Sequence, residues 1–263
     1  MIAVTTVLGL GTAASGAPAA AAVERPAAVA RPAGASAAAT TLAGETRKGD
    51  TRPVVFVHGL NADPGVWSSM EGKFEKDPAG DFPASKLHTF DYSHTTKERI
   101  ANNSKRFSDW LSSQQLGEVD VVAHSLGGLV ARKAQEDGSK IRRIITLATP
   151  NHGTGCCSVI QIAWPVCQDM ERTFGKESSF LKNLNEKAHI TQDTVMTYAV
   201  TTDDGQVAAD SVHLDKALNK IVDPSIKGGS CTNPSVHNSI LYNDTVATDS
   251  MNFLRYGSSG VTH

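Results

Sequence analysis

Val119-Asp120-Val121-Val122-Ala123-His124-Ser125-Leu126-Gly127-Gly128-Leu129-Val130-Ala131-Arg132 is the stretch from which the fold follows. It begins as a short apolar run rich in β-branched residues, the signature of a buried parallel strand. It ends as a helix opened by Gly127-Gly128, in which Leu129, Val130 and Ala131 give way to Lys133, Ala134 and Gln135. Between them stands Ser125, with small residues two places either side, Ala123 and Gly127. A strand that turns sharply into a helix has little space for side chains at the crossing, and it pushes the residue at its tip outward. This is the pattern of a nucleophile elbow, with Ala in place of the commoner first Gly; one methyl keeps the close approach feasible. The competing reading is a plain strand–serine–glycine–helix connection, and the strand before and helix after Ser125 argue against it.

Outward from that stretch, apolar runs and helical periodicities alternate. Residues 52–60 form a strand pattern that ends in His58-Gly59-Leu60 and a loop with Asn61, Asp63, Pro64 and Gly65. Residues 66–74 place Val66, Trp67, Met70 and Phe74 on one helix face. A strand over 86–92 precedes a helix over 100–116, with Ile100, Phe107, Trp110 and Leu111 at helical spacing. Beyond the elbow come a strand over 141–148 closed by Thr149-Pro150, a helix over 178–188, a strand over 195–201 and a closing helix over 244–256. Strands alternating with helices predict an α/β fold, a mostly parallel sheet with helices on both faces. Ligands of such sheets bind beyond the carboxyl ends of the strands. His58, Ser125, Thr149 and the loop after Thr201 all fall there.

The bulk properties set limits. With 263 residues, 40% hydrophobic and 20% charged, the chain has ordinary globular composition. A formal net charge of -2 offers no electrostatic case for a nucleic-acid partner. Residues 1–22 read as a signal peptide: an uncharged apolar start followed by small-x-small sites, though no Lys or Arg precedes the apolar run. The same run is too rich in Gly, Ala and Pro to make a convincing membrane span, so no stable membrane insertion is expected. Residues 23–49 are an Ala/Pro-rich segment with little to pack. Residues 50–263 then form one domain, expected as a secreted, extracellular monomer. The four cysteines, Cys156, Cys157, Cys167 and Cys231, fit an oxidising compartment. Neighbouring residues rarely reach disulfide geometry, which leaves two pairings: 156–167 with 157–231, or 157–167 with 156–231. A zinc site is disfavoured because no Cys-x-x-Cys spacing occurs.

A serine hydroxyl is a weak nucleophile until a base takes its proton, and that base needs an acid to hold its tautomer. On an elbow of this kind the partners follow in the order Ser, Asp or Glu, His. His237 suits best as the base, in a loop just before the final helix; His213, only nine residues beyond the acid, is the second choice. The acid should follow the strand over 195–201, where Asp204 is favoured over Asp203 because Asp204-Gly205-Gln206-Val207 lets the chain turn at once. The backbone N–H groups of Leu126 and Leu60 are the expected oxyanion donors. His58 reads as structural, and His124 and His152 as neighbours of the site.

Taken together, Val-Phe-Val-His-Gly-Leu-Asn at 55–61, Ala-His-Ser-Leu-Gly-Gly at 123–128, Thr-Pro-Asn-His-Gly at 149–153, Asp-Gly-x-Val at 204–207 and Val-His-Asn-Ser-Ile-Leu at 236–241 resemble secreted bacterial α/β-hydrolase lipases. The Ala-His-Ser elbow is similar to that of the small bacterial triacylglycerol lipases. The resemblance spans about residues 52–256. It implies an α/β-hydrolase fold and hydrolysis of carboxylic esters of lipids, with Ser125, Asp204 and His237 as triad and Leu60 and Leu126 as oxyanion donors. It implies no metal and no organic cofactor; the partner is a lipid or other ester at an oil–water interface. A short-chain carboxylesterase or polyester hydrolase is the alternative within this chemistry. A non-catalytic binding protein of the same fold would require a degraded triad, and every member is present. The chain departs from the smallest lidless members over residues 153–176, where three cysteines accompany Val159, Ile160, Ile162, Trp164 and Val166. Two readings stand: a disulfide-pinned flap with Trp164 facing lipid, or a decorated helix packed on the sheet.

Overall fold

The computed structural model describes residues 51–159, 163–201 and 204–261. The leader expected over 1–22, the segment over 23–49, Asp203, and Ile160 and Ile162 of the insertion lie outside the described residues. In chain order the strands are Val54–Val57 (β1), Leu87–Phe90 (β2), Val119–His124 (β3), Ile141–Leu147 (β4), Arg172–Thr173 (β5), Lys176–Glu177 (β6), Val195–Val200 (β7) and Leu218–Val222 (β8). The helices are Ser68–Glu75 (α1), Ile100–Gln114 (α2), Leu126–Glu136 (α3), Cys156–Val159 (α4), Pro165–Met170 (α5), Ser179–Lys187 (α6), Ala209–Val212 (α7), Ser235–Ser239 (α8) and Asp244–Tyr256 (α9).

Six strands make one sheet in the order β2-β1-β3-β4-β7-β8, and every pairing in it is parallel. The continuous apolar runs follow from this topology, because a parallel sheet is covered on both faces. In β1, Val54 and Phe56 enter one core and Val55 and Val57 the other. The first core is closed by α1 and α9 through Met70, Phe74, Phe253 and Leu254. The second is closed by α2, α3 and α6 through Phe107, Leu129, Val130 and Leu181. Phe56 packs between Trp67 and Phe74, with ring centroids 5.1 and 5.5 Å away. Each fully buried side chain of this kind contributes about 1.5–3 kcal/mol.

Helix ends match local chemistry. Asn243 caps α9 by accepting from Val246 N–H at 3.1 Å, and Ser178 caps α6 through Leu181 N–H at 3.2 Å. α2 stops where Gln115 turns left-handed, at φ 54°. Among the described residues no helix is long and apolar enough to cross a membrane.

The predicted elements appear with ends shifted by up to three residues, and several features differ: α7 was not foreseen, and His237, expected in a loop, lies in α8. β8 was not foreseen, and it extends the sheet beyond β7. Of the insertion, expected either as a disulfide-pinned flap or as a decorated helix, the described residues form α4, α5 and the β5–β6 hairpin. Val166 lies wholly in the core, while Trp164 is half-buried with the Lys97 ammonium 4.4 Å over its ring.

The chain runs from β1 outward to β2 and then returns to β3 on the other side. That reversal makes the carboxyl ends of β1 and β3 the switch point of the sheet, where a crevice opens.

Candidate active site

Ser125 stands at the switch point. It has φ 53° and ψ -126°, a conformation that a residue with a side chain adopts only when its surroundings enforce it. Three hydrogen bonds enforce it here: Ser125 N–H donates to Leu147 O at 2.8 Å, and Ser125 O accepts from Thr149 Oγ1 at 2.9 Å and from Gly128 N–H at 3.1 Å. The two glycines are required by contact. A Cβ on Gly127 would lie 2.3 Å from Val57 O, and one on Gly128 would lie 2.1 Å from Thr149 Oγ1. Gly59 approaches from the other side, where an added Cβ would be 3.0 Å from Ser125 Cβ.

The loop carrying Thr149 is anchored from below by a buried arginine. Arg132 donates to Asn151 Oδ1 at 2.8 Å and to Asn185 Oδ1 at 2.9 Å. Burial pushes its guanidinium down to about 10. Sequence reading placed Thr149 at the carboxyl end of its strand but gave neither it nor Arg132 a role. Thr149-Pro150 marked a strand end, but nothing local revealed that its hydroxyl would reach Ser125.

His237 lies in α8 and is 2% exposed. Its Nδ1 sits 2.9 and 3.0 Å from the two carboxylate oxygens of Asp204. Asp204 Oδ1 also accepts from the N–H groups of Gln206 at 3.0 Å and Val207 at 2.8 Å, the bonds of an Asp-Gly turn. The acceptor carboxylate assigns the proton to Nδ1 and leaves Nε2 as a free lone pair. Nε2 is buried and, among the described residues, has no hydrogen-bond partner. His213, the second choice for the base, stands apart with its side chain 56% exposed and Asp215 4.0 Å away.

His124 packs against His237 with ring centroids 4.6 Å apart, and its Nε2 lies 3.3 Å from His237 O. Burial, reinforced by the adjacent His237, holds His124 well below the usual histidine range. His58 is equally buried: its Nδ1–H donates to Gly59 O at 3.0 Å while its Nε2 accepts from Tyr92 N–H at 3.4 Å. Burial also lowers its pKa. The Tyr92 hydroxyl donates to His58 O at 2.6 Å, so this histidine fixes the turn into Gly59-Leu60. His152 is bonded to Glu177 at 2.6 Å. Among the described residues neither the Leu60 nor the Leu126 N–H finds an acceptor.

Ser125 and His237 line a cavity of about 460 Å³, with Leu60, Trp164, Met170, Val207 and Leu241 on its apolar walls. All four cysteines border it. They pair as Cys156–Cys231 and Cys157–Cys167, the second of the two possible arrangements.

The family model described as Lipase (class 2) matches residues 51–228. Among solved structures the chain is similar to the mature form of the Bacillus licheniformis lipase BlEst2, at 19% identity over 78% of this chain and 92% of that one, with a TM-score of 0.54. It is similar to the phospholipase PlaB of Legionella pneumophila at 14% identity, covering 80% of this chain and 60% of that one, TM-score 0.59. It is similar to Aspergillus fumigatus lipase B at 17% identity, covering 80% and 54%, TM-score 0.56. At these identities the likeness is one of fold. No curated protein matches the chain in sequence.

Proposed function

The chain belongs to the class 2 lipase family, carboxylic ester hydrolases of α/β-hydrolase fold, and from that premise we propose that it cleaves triacylglycerol esters through Ser125, His237 and Asp204. In this reading Ser125 Oγ attacks the ester carbonyl as His237 Nε2 takes its proton. Asp204 holds the imidazole in the required tautomer and stabilises the imidazolium that forms. The N–H groups of Leu60 and Leu126 receive the negative oxygen of the tetrahedral intermediate. Its collapse expels the alcohol, which leaves with the proton from His237. Water, deprotonated by the same imidazole, then attacks the acyl-enzyme and releases the fatty acid.

The observation that carries the reading is the state of His237: one ring nitrogen on a buried carboxylate, the other buried without a partner and sharing a cavity with Ser125. A buried unpaired acceptor costs about 1–3 kcal/mol, so its retention fits a catalytic lone pair. A neutral lipid ester suits the cavity, since the described residues lining it include no lysine or arginine to hold an anionic head group. Thr154, Cys156, Cys157, Trp164, Cys167 and Met170 of the insertion line the cavity, and in this reading Trp164 and Met170 face the acyl chain. The two disulfides fit export to an oxidising compartment, where the chain acts as a secreted monomer.

Hydrolysis of an emulsified triglyceride, measured beside p-nitrophenyl esters of increasing chain length, tests the proposal. The triglyceride should be cleaved, and Ser125→Ala should remove that activity. Turnover of short p-nitrophenyl esters alone would assign a short-chain esterase instead.

A further inference from the structure

Asp204 lies in the turn after β7 and His237 in α8, reached by the loop after β8, so the two arrive at the site separately and their bond requires both loops to keep one spacing. Hydrogen bonds inside each loop do not fix that spacing. Asp204 is held within its own turn by Gln206 and Val207 N–H. The other loop is likewise closed on itself: Ser230 and Asn233 exchange backbone bonds at 3.1 and 3.0 Å, and Asn233 Oδ1 accepts from Ser235 N–H at 3.2 Å as α8 begins.

Cys156 spans the two. Its disulfide holds Cys231, inside the closed turn that leads into His237. Its sulfur, which has no proton to donate, packs 3.4 Å from Gly205 O and 3.5 Å from Gln206 O in the acid turn. Thr154 reinforces the second contact, its hydroxyl donating to Gln206 O at 2.5 Å while also accepting from Cys156 N–H at 3.1 Å. The turns abut directly as well: Gly205 has φ 73°, and a Cβ there would lie 2.1 Å from Gly229 C. Loop placement of this kind tells on turnover, because an error of about 1 Å in a reacting group can cost on the order of a hundredfold in rate.

We propose that the Cys156–Cys231 disulfide, with Thr154, is a positioning element that sets the distance between Asp204 and His237, so that turnover depends on this bond. The proposal rests on the catalytic roles argued above. Cys157–Cys167 closes only a ten-residue separation within the insertion, and both its residues belong to the second core, so it does not serve this purpose.

The test uses the full wild-type chain under graded dithiothreitol. Alkylation and peptide mass mapping give the reduced fraction of each disulfide. On each sample, kcat and KM are measured with p-nitrophenyl butyrate, far-UV circular dichroism reports the fold, and the far-downfield proton resonance of His237 Nδ1–H reports its bond to Asp204. The expected result is a fall in kcat of about 10- to 100-fold that follows reduction of Cys156–Cys231, with KM changed less than about twofold. The downfield resonance should broaden or vanish, the dichroism should persist, and reoxidation should restore rate and resonance. Thr154→Val should reproduce a smaller share of the kcat loss with both disulfides intact. Unchanged kcat after complete reduction of Cys156–Cys231 would overturn the proposal. So would a loss of rate that follows Cys157–Cys167, or one that accompanies collapse of the dichroism, since the bond would then serve the whole fold. An oxidised protein with no turnover at all would instead sink the catalytic reading.

Discussion

Ser125, His237 and Asp204 differ in how much of their geometry comes from their own sequence neighbourhood. Ser125 is constrained by close contacts around its backbone, and at Gly127 the obstacle is itself backbone, a Cβ there lying 2.3 Å from Val57 O. Gly127→Ala forces a methyl against Val57 O and should destabilise the fold by about 1–3 kcal/mol or more, read as a lower urea midpoint, with esterase activity falling further than stability. Asp204→Asn keeps the size of the side chain but offers an N–H where His237 needs an acceptor. A change of this type costs about 10⁴-fold in kcat in the best-studied triads, and steady-state kinetics should show a loss of that order with KM little altered. The local geometry at Ser125 and Asp204 was legible in the sequence because each depends on chemistry within about five residues: small residues flanking a serine, and a carboxylate answering the N–H groups of its own turn. The hydroxyl of Thr149 was not, because its partner is 24 residues away and only the sheet brings them together.

Among elements, the inner strands were readable from their apolar content: β1 is wholly apolar, β3 and β7 are mainly so, and β4 is apolar apart from Arg142, Arg143 and Thr146. β8 lies at the edge of the sheet, with Asn219 and Lys220 half-buried and Ile221 63% exposed, so its pattern is that of a loop. Asn219 is there for turn chemistry: its amide binds Leu214 N–H at 2.9 Å and Leu214 O at 2.8 Å. The choice between disulfide pairings was open for a similar reason, since it depends on where the loop before His237 comes to rest. The bonds should also differ in their contribution to stability. Closing separations of 75 and 10 residues removes unfolded-chain entropy worth about 4.5 and about 2.7 kcal/mol respectively. Equilibrium denaturation of C156S/C231S and C157S/C167S should therefore rank the first as the less stable protein.

At the scale of the whole molecule, besides His237, the fold holds His58 and His124 in its interior, where the neutral form is favoured. Burial is the leading cause in both, and it lowers their pKa values below that of an exposed imidazole. The unfolded chain takes up protons at these residues near pH 6.5, whereas the folded chain does so only at lower pH. Below pH 6.5 the unfolded state therefore binds more protons, and stability falls as pH falls. The contribution is complete above that pH and declines by up to about 1.4 kcal/mol per unit for each histidine. Urea denaturation between pH 7.5 and 5 should trace this decline, and His124→Gln should flatten the slope. The opposite slope, with stability rising on acidification, would contradict the neutral assignment.

The account as a whole rests on Ser125 as the nucleophile activated by His237, and reaction with a fluorophosphonate ester probes that most directly. Intact-mass and peptide analysis should find one adduct per chain, on Ser125, formed far more slowly in His237→Ala and absent in Ser125→Ala. An adduct on a different residue, or ester hydrolysis undiminished in Ser125→Ala, would contradict it.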